Sequence, residues 1–281
     1  IAVTERFESD WLALREAADG AARDRALTER AARWLDARRR PIRIVDLGAG
    51  GGNNAAWLAP RLPGVQHWRL VDHDPELLDR AARRWPALRD RNDRHPLLET
   101  RLSDLSDLGA ALPEDTDLAT ASALFDLVSG PWAETLADRC ATIGCGALWT
   151  LSVDGHWHFE SADDDRAANP DDSAMRELLI AHQRRDKGLG AALGGDAPRA
   201  LASAFGAREY TVHSAASPWR LGPGNPLATA LLDGWRGALL EQAPERHAEI
   251  DAWWRSRRLA LGRNELTTVV GHIDVWAEPP S

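Results

Sequence analysis

The most constraining stretch of this chain runs from Ile42 to Asn54. Ile42-Arg43-Ile44-Val45-Asp46-Leu47 is a short β-branched run, Gly48-Ala49-Gly50-Gly51-Gly52-Asn53 follows without a break, and helical character starts near Asn54. β-Branched residues suit a strand buried on both faces. Closely spaced glycines let the backbone turn sharply and approach a ligand where side chains would block it. Strand, glycine turn and helix in that order make the first half of a nucleotide-type βαβ unit. Upstream, apolar residues at three- and four-residue spacing predict one or two amphipathic helices from Glu5 to about Arg39, which Pro41 ends.

The second half of the unit follows. Trp68–Asp72 reads as a strand, and Pro75 opens a helix that runs to about Trp85. Further strands are predicted at Leu97–Leu102, Asp117–Ala123 and Ala147–Val153, separated by helical segments. That alternation implies a parallel sheet covered on both faces. From Asp154 to about Gly195 it is interrupted by an acidic loop (Asp163, Asp164, Asp165, Asp171, Asp172), a helix from Ser173 to about Arg185, and a glycine-rich turn. This stretch is expected to be an insertion over the ligand-binding edge. Ala207–His213 and Leu266–Trp276 alternate as the last two strands, with helices between them ending near Arg258.

The glycine loop departs from the dinucleotide pattern G-x-G-x-x-G, whose third glycine would fall at Asn53. It resembles motif I of the class I S-adenosylmethionine-dependent methyltransferases, in which an acidic residue two positions before the first glycine ends the first strand. Asp46, Gly48, Gly50 and Gly52 match that pattern, and the resemblance extends over residues 42 to about 153. It implies an α/β, Rossmann-like, doubly wound and mostly parallel seven-stranded sheet with an antiparallel last strand, helices on both faces and an inserted helical cap. The expected organisation is one methyltransferase domain over 1–281. Within it, N-terminal helices take 1–40, the cofactor-binding core 41–153, the cap 154–205, and the C-terminal strands and helices 206–281.

The resemblance also implies the cofactor, S-adenosylmethionine, and its partners. Asp46 would serve the ammonium, commonly through water, while Gly48, Ala49, Gly50 and Asn53 meet the methionine part. Asp72, about twenty residues beyond the loop, stands where a carboxylate accepts ribose hydroxyls. His73 would lie along the adenine, whereas Asp74 before Pro75 is more simply a helix N-cap. Asp104 would meet the adenine amino group and the Leu105 amide a ring nitrogen, with Asp107 as rival to Asp104. Ser122 lies near the end of the fourth strand, at the edge that faces the transferring methyl group.

Methyl transfer is an in-line displacement on an activated sulfonium, so few catalytic residues are obligatory. Asp126, His156, His158, His182 and Lys187 are the candidates for proton handling. His156 and His158 share a face if extended, but two histidines without a third ligand fit a solvated loop, and no metal site is expected. Asp186-Lys187-Gly188 reads equally as a helix stop. The Asn/Asp-Pro-Pro-aromatic signature of base and glutamine amino methylation is missing after the fourth strand. Ser217-Pro218-Trp219-Arg220 and Gly271-His272-Ile273-Asp274 resemble a bacterial group of small-molecule-type methyltransferases.

Composition narrows the acceptor. With 43 acidic against 34 basic side chains the net charge is -9, which repels phosphate backbones and disfavours nucleic acid as a partner. The arginines from Arg23 to Arg43 read as a solvated helix face. No targeting start and no membrane-spanning run is apparent, so a soluble, cytoplasmic protein acting on a small molecule is expected, with a homodimer through the late helices left open. Cys140 and Cys145 have neither zinc nor redox spacing and read as buried thiols. Thirteen tryptophans serve mainly the core, and one or two suit a pocket for an apolar or cationic group. The alternatives are a dinucleotide-binding oxidoreductase, a non-catalytic cofactor-binding subunit, and a different S-adenosylmethionine chemistry on the same fold.

Overall fold

The computed structural model describes residues 9–38, 41–161 and 169–280; the helical residues expected at 5–8 and 39, and Asp163, Asp164 and Asp165 of the acidic loop, lie outside them. Helices α1 (Ser9–Ala22) and α2 (Arg25–Asp36) come first. Asp24 divides them because its carboxylate accepts the Leu27 N–H at 2.7 Å and caps α2. Next come β1 (Ile42–Leu47), α3 (Asn53–Leu58), β2 (Gln66–Asp72) and α4 (Pro75–Arg84). β1 is buried everywhere except Arg43, as a strand covered on both faces must be. Asp74 caps α4 by accepting the Glu76 N–H at 2.8 Å, and Pro75 fills the first position, where no N–H is needed.

The chain continues through β3 (Leu97–Leu102), α5 (Leu108–Ala111), β4 (Leu118–Ser122), α6 (Gly130–Ile143), β5 (Gly146–Glu160), α7 (Asp172–Gln183) and α8 (Ala197–Gly206). It ends with β6 (Thr211–Ala216), β7 (Trp219–Leu221), α9 (Pro226–Gln242), α10 (His247–Gly262) and β8 (Thr267–Glu278). The sheet order is β3-β2-β1-β4-β5-β8-β6. The first five strands of that order pair in parallel, and β8 runs antiparallel between β5 and β6. This is the Rossmann-like, doubly wound and mostly parallel sheet implied by the glycine motif.

Its details correct the sequence reading in three places. The described sheet has eight strands rather than seven, because β7 pairs with β8 through Arg220 and Val269. Three residues are too few for alternation to register. β5 does not stop at Val153 but runs on to Glu160, with its register against β8 shifted between Trp149 and Ser152 and again between Val153 and Trp157. In that extension Trp157 and Phe159 are buried while His156 and His158 are exposed, the two-residue period of a strand. β6 starts at Thr211 rather than Ala207, because residues 207–210 complete the turn after α8, where Tyr210 N–H bonds back to Phe205 O at 3.2 Å.

Three apolar clusters follow. α2, α3 and α4 cover one sheet face around Leu35, Ile44, Trp68 and Trp276. α5, α6 and α8 cover the other around Phe125, Trp149 and Phe205, with both cysteines buried as free thiols. The third lies on the extended ends of β5 and β8, where Trp157, Phe159, Met175, Trp219 and Trp253 pack beneath α7, α9 and α10. No described helix is long and apolar enough to cross a membrane.

Candidate active site

Ligands of open α/β sheets lie outside the carboxyl ends of the strands. At that edge Gly48, Gly50 and Gly52 have φ of +62°, +51° and +78°, a left-handed backbone that side chains resist. A Cβ on Gly48 would come within 3.1 Å of Leu124, and one on Gly52 within 3.1 Å of Ala81. The buried Asp72 carboxylate accepts N–H bonds from Gly50 at 2.8 Å and Asp74 at 2.9 Å, tying the loop to the end of β2. His73 is exposed beside it. Asp104 is exposed past β3 and accepts the Ser106 N–H at 2.8 Å, while its rival Asp107 is the N-cap of α5. The Leu105 carbonyl accepts from Trp132 Nε1 at 2.7 Å.

Behind the loop lies a buried polar chain. Asp46 is fully buried, its Oδ1 accepts from Asn54 Nδ2 at 2.7 Å, and its Oδ2 has no hydrogen-bond partner among the described residues. Burial pushes its pKa up to about 7, opposed by the Asn54 hydrogen bond and the Arg23 charge. Arg23 donates to Asn54 Oδ1 at 2.6 Å and to Ser122 Oγ at 3.0 Å. This corrects the reading of Arg23 as part of a solvated helix face: it is 4% exposed, at the α1–α2 junction. Its partners are 31 and 99 positions away, so no local pattern could reveal it. A cavity of about 60 Å³ opens here, lined by Leu12, Arg15, Asp19, Arg23, Gly48, Ala49, Gly50, Gly51, Asn53, Asn54 and Ser122. α1 is held across the loop by Asn53 Nδ2, which donates to Leu12 O at 3.0 Å.

A second cavity, about 170 Å³, adjoins the first, with Arg15 in the walls of both. Four indoles (Trp11, Trp157, Trp219, Trp235) line it, together with Ala123, Asp126, His156 and His272. Ala123 directly follows β4 and has φ +52°, a strained conformation for a residue with a Cβ. Arg15 lies 5.0 Å over the Trp219 ring and donates to Asp19 at 3.0 Å, and Trp219 Nε1 donates to the same carboxylate at 3.0 Å. Trp157 and Trp235 rings are 4.6 Å apart, and Trp157 Nε1 is buried without a hydrogen-bond partner among the described residues. His272 Nδ1 lies 3.0 Å from the Val270 carbonyl, which can only accept, so that nitrogen carries the proton. Burial, reinforced by the Arg15 charge, lowers the His272 pKa to about 3, so the imidazole is neutral.

Of the expected proton-handling residues, the structure brings Asp126 and His156 to this cavity. His182 and Lys187 do not line it; His182 faces Glu241 at 3.1 Å, and His158 faces Glu160 at 3.3 Å. Asp186 organises its own turn by accepting the Gly188 and Gly190 N–H groups at 2.7 and 3.1 Å. The Ser217 and Asp274 motifs meet each other: Ser217 Oγ donates to Asp274 Oδ1 at 2.6 Å, and the same oxygen accepts the Leu151 N–H at 2.7 Å. Arg15, Trp11, Trp235 and His272 were not singled out by sequence as site residues. Among the described residues, no group of three His, Cys, Asp or Glu is placed to hold a metal ion. A larger hollow of about 340 Å³, by Arg43, His67 and Thr116, lies at the opposite, amino-terminal ends of β1 and β2, away from the edge where this fold binds ligands.

No protein-family model matches the sequence, and no curated protein matches it. Solved structures are similar at low identity. The cyclopropane synthase MmaA2 of Mycobacterium tuberculosis is 11% identical with a TM-score of 0.47, over 90% of this chain and 83% of that one. Phosphoethanolamine N-methyltransferase 2 of Haemonchus contortus, solved with S-adenosylmethionine, is 12% identical with a TM-score of 0.47, over 99% of this chain and 59% of that one. Geranyl diphosphate C-methyltransferase of Streptomyces coelicolor A3(2), solved with S-adenosylhomocysteine, is 14% identical with a TM-score of 0.43, over 90% of this chain and 75% of that one.

Proposed function

We propose that this chain is a class I methyltransferase that moves a methyl group from S-adenosylmethionine to a small molecule held in the tryptophan-lined cavity. The observation that carries this reading is the shared wall: Arg15 borders both the cavity at the glycine loop and the cavity beyond Ala123. A donor site and an acceptor site that adjoin at the end of β4 are what an in-line transfer requires.

The residues present fit the cofactor. The left-handed glycines leave the loop backbone open, and the unpartnered Asp46 Oδ2 behind it suits an ammonium. Asp72 would accept the ribose hydroxyls with the lone pairs that Gly50 and Asp74 leave over. Asp104 and the Leu105 amide would meet the adenine, with His73 alongside. When bound, S-adenosylmethionine supplies an electrophilic methyl group on a sulfonium. The chain's own part is to align the acceptor and exclude water, which the indoles do, and to take a proton where the acceptor carries one. Asp126 and His156 line the cavity wall, and that step falls to them in this reading. The indoles favour an acceptor with an apolar, planar or cationic part.

Calorimetric titration with S-adenosylmethionine, S-adenosylhomocysteine and NAD in parallel tests the cofactor. Both adenosyl ligands should bind and NAD should give no heat; NAD binding alone overturns the reading. A screen with methyl-labelled cofactor then tests the acceptor, and removing a wall of the cavity with Trp235→Ala should sharply reduce transfer while cofactor binding persists.

A further inference from the structure

Two buried polar atoms at the glycine loop have no hydrogen-bond partner among the described residues, and they are of opposite kind. Asp46 Oδ2 is an acceptor and Arg23 Nε a donor. Asn54 joins their side chains, donating to one and accepting from the other. A buried guanidinium is costly unless an anion meets it. Among the described residues Arg23 has none bonded to it: its side-chain hydrogen bonds go to the neutral oxygens of Asn54 and Ser122. The neighbouring carboxylates are engaged elsewhere, Asp19 by Arg15 and Trp219, and Asp274 by Leu151, Ser217 and Asp24. Arg23 also lines the small cavity over the loop, so an anion placed there has a guanidinium in the wall.

An amino-acid zwitterion offers the matching pair of charges. We propose that Arg23 binds the α-carboxylate of the methionine or homocysteine portion of the cofactor, opposite the ammonium that Asp46 serves. This rests on the reading of the glycine loop as an S-adenosylmethionine site. It assigns to α1 and α2 a direct part in ligand recognition: Arg23 sits where the two helices meet, so their packing on the sheet positions the charge. Arg15, which also borders this cavity, is held by Asp19 and Trp219.

The test is calorimetric, on the full chain, with S-adenosylhomocysteine, its decarboxylated analogue that keeps the ammonium, and 5′-methylthioadenosine, which lacks both charges. The parent should prefer S-adenosylhomocysteine over the decarboxylated analogue by about 10- to 100-fold, the worth of a charge-assisted contact. Arg23→Gln should abolish that preference while binding 5′-methylthioadenosine within about twofold of the parent, and Arg23→Lys should keep part of it. A merely structural Arg23 would weaken all three ligands together. Equal affinity of the parent for the acid and its decarboxylated analogue, or an Arg23→Gln variant with the parent's preference, overturns the assignment. Should Arg23→Gln fail to fold, the parent's ratio and Arg23→Lys still decide. A parent that binds none of the three brings down the cofactor reading itself, a result distinct from indifference to the carboxylate.

Discussion

Burial holds Asp46 near half protonation at neutral pH, with a pKa of about 7, whereas an ammonium bound beside it favours the ionised form. Affinity for S-adenosylhomocysteine should therefore rise between about pH 6 and about pH 8, with a proton released on binding. Calorimetry in buffers of different ionisation enthalpy measures that proton, and Asp46→Asn should remove both effects. The same group sets a stability slope. Its folded pKa is raised above the unfolded value, so its contribution is complete below the unfolded carboxylate pKa and is lost as pH rises through about 7. Asp46→Asn should accordingly raise Tm at alkaline pH more than at acid pH. At Asp72, alanine removes the acceptor that holds the Gly50 and Asp74 N–H groups, and a fall of about 10- to 100-fold in cofactor affinity is expected by calorimetry. The meeting of the glycine loop with Asp72 at one edge of the sheet was legible because the loop motif and the end of β2 are close in sequence. Arg23, Arg15 and His272 were not, because their roles arise only when α1, α3, β4 and β8 meet.

The elements of the first βαβ unit are legible for a related reason: each carries its own local signal, such as the β-branched run of β1 or Asp74-Pro75 at the start of α4. The extension of β5 also had a signal, the alternation of Trp157 and Phe159 with His156 and His158, but the polar residues around it suggested a loop. What the alternation could not reveal is the partner, since Trp157–Glu160 pairs with Thr267–Val270 more than a hundred positions later. The junction between that extension and the segment before α8 is tight: a Cβ on Gly195 would lie 2.7 Å from the Gly155 backbone. Gly195→Ala should cost about 1–3 kcal/mol in thermal or denaturant unfolding. Because Gly155 lines the cavity proposed for the acceptor, the variant should lose acceptor turnover while keeping its affinity for S-adenosylhomocysteine. Asp172 makes a comparable joint in the third cluster, where it accepts from Trp253 Nε1 at 2.7 Å and pairs with the buried Arg257. Removing it takes a carboxylate from that guanidinium and an acceptor from the indole, and Asp172→Ala should cost about 1–3 kcal/mol, read by denaturant unfolding.

At the scale of the whole molecule, the question is whether the sheet with its two helical layers and the third apolar cluster behave as one cooperative unit. β8 decides it. The strand contributes Val275 and Ala277 to the central cluster and Val270 to the third one, and β5 accompanies it through both. A strand ladder that runs through two clusters couples them, because opening one end leaves apolar surface and backbone groups of the other unpaired. S-Adenosylhomocysteine at about one hundred times its Kd should stabilise the native state by about 2.7 kcal/mol. That gain corresponds to a rise of about 4–5 °C in Tm for a chain of this size. Hydrogen exchange resolves where the stabilisation is felt. If the clusters unfold together, the ligand slows exchange at the Val270 and Val275 amides by the same factor, although only the carboxyl edge of the sheet touches it. If the third cluster opens alone, Val270 exchanges at a lower free energy and ignores the ligand. The pairing of β5 with β8 through both clusters predicts the first outcome, and with it a tryptophan-lined cavity that stays formed whether or not the proposed cofactor site is filled.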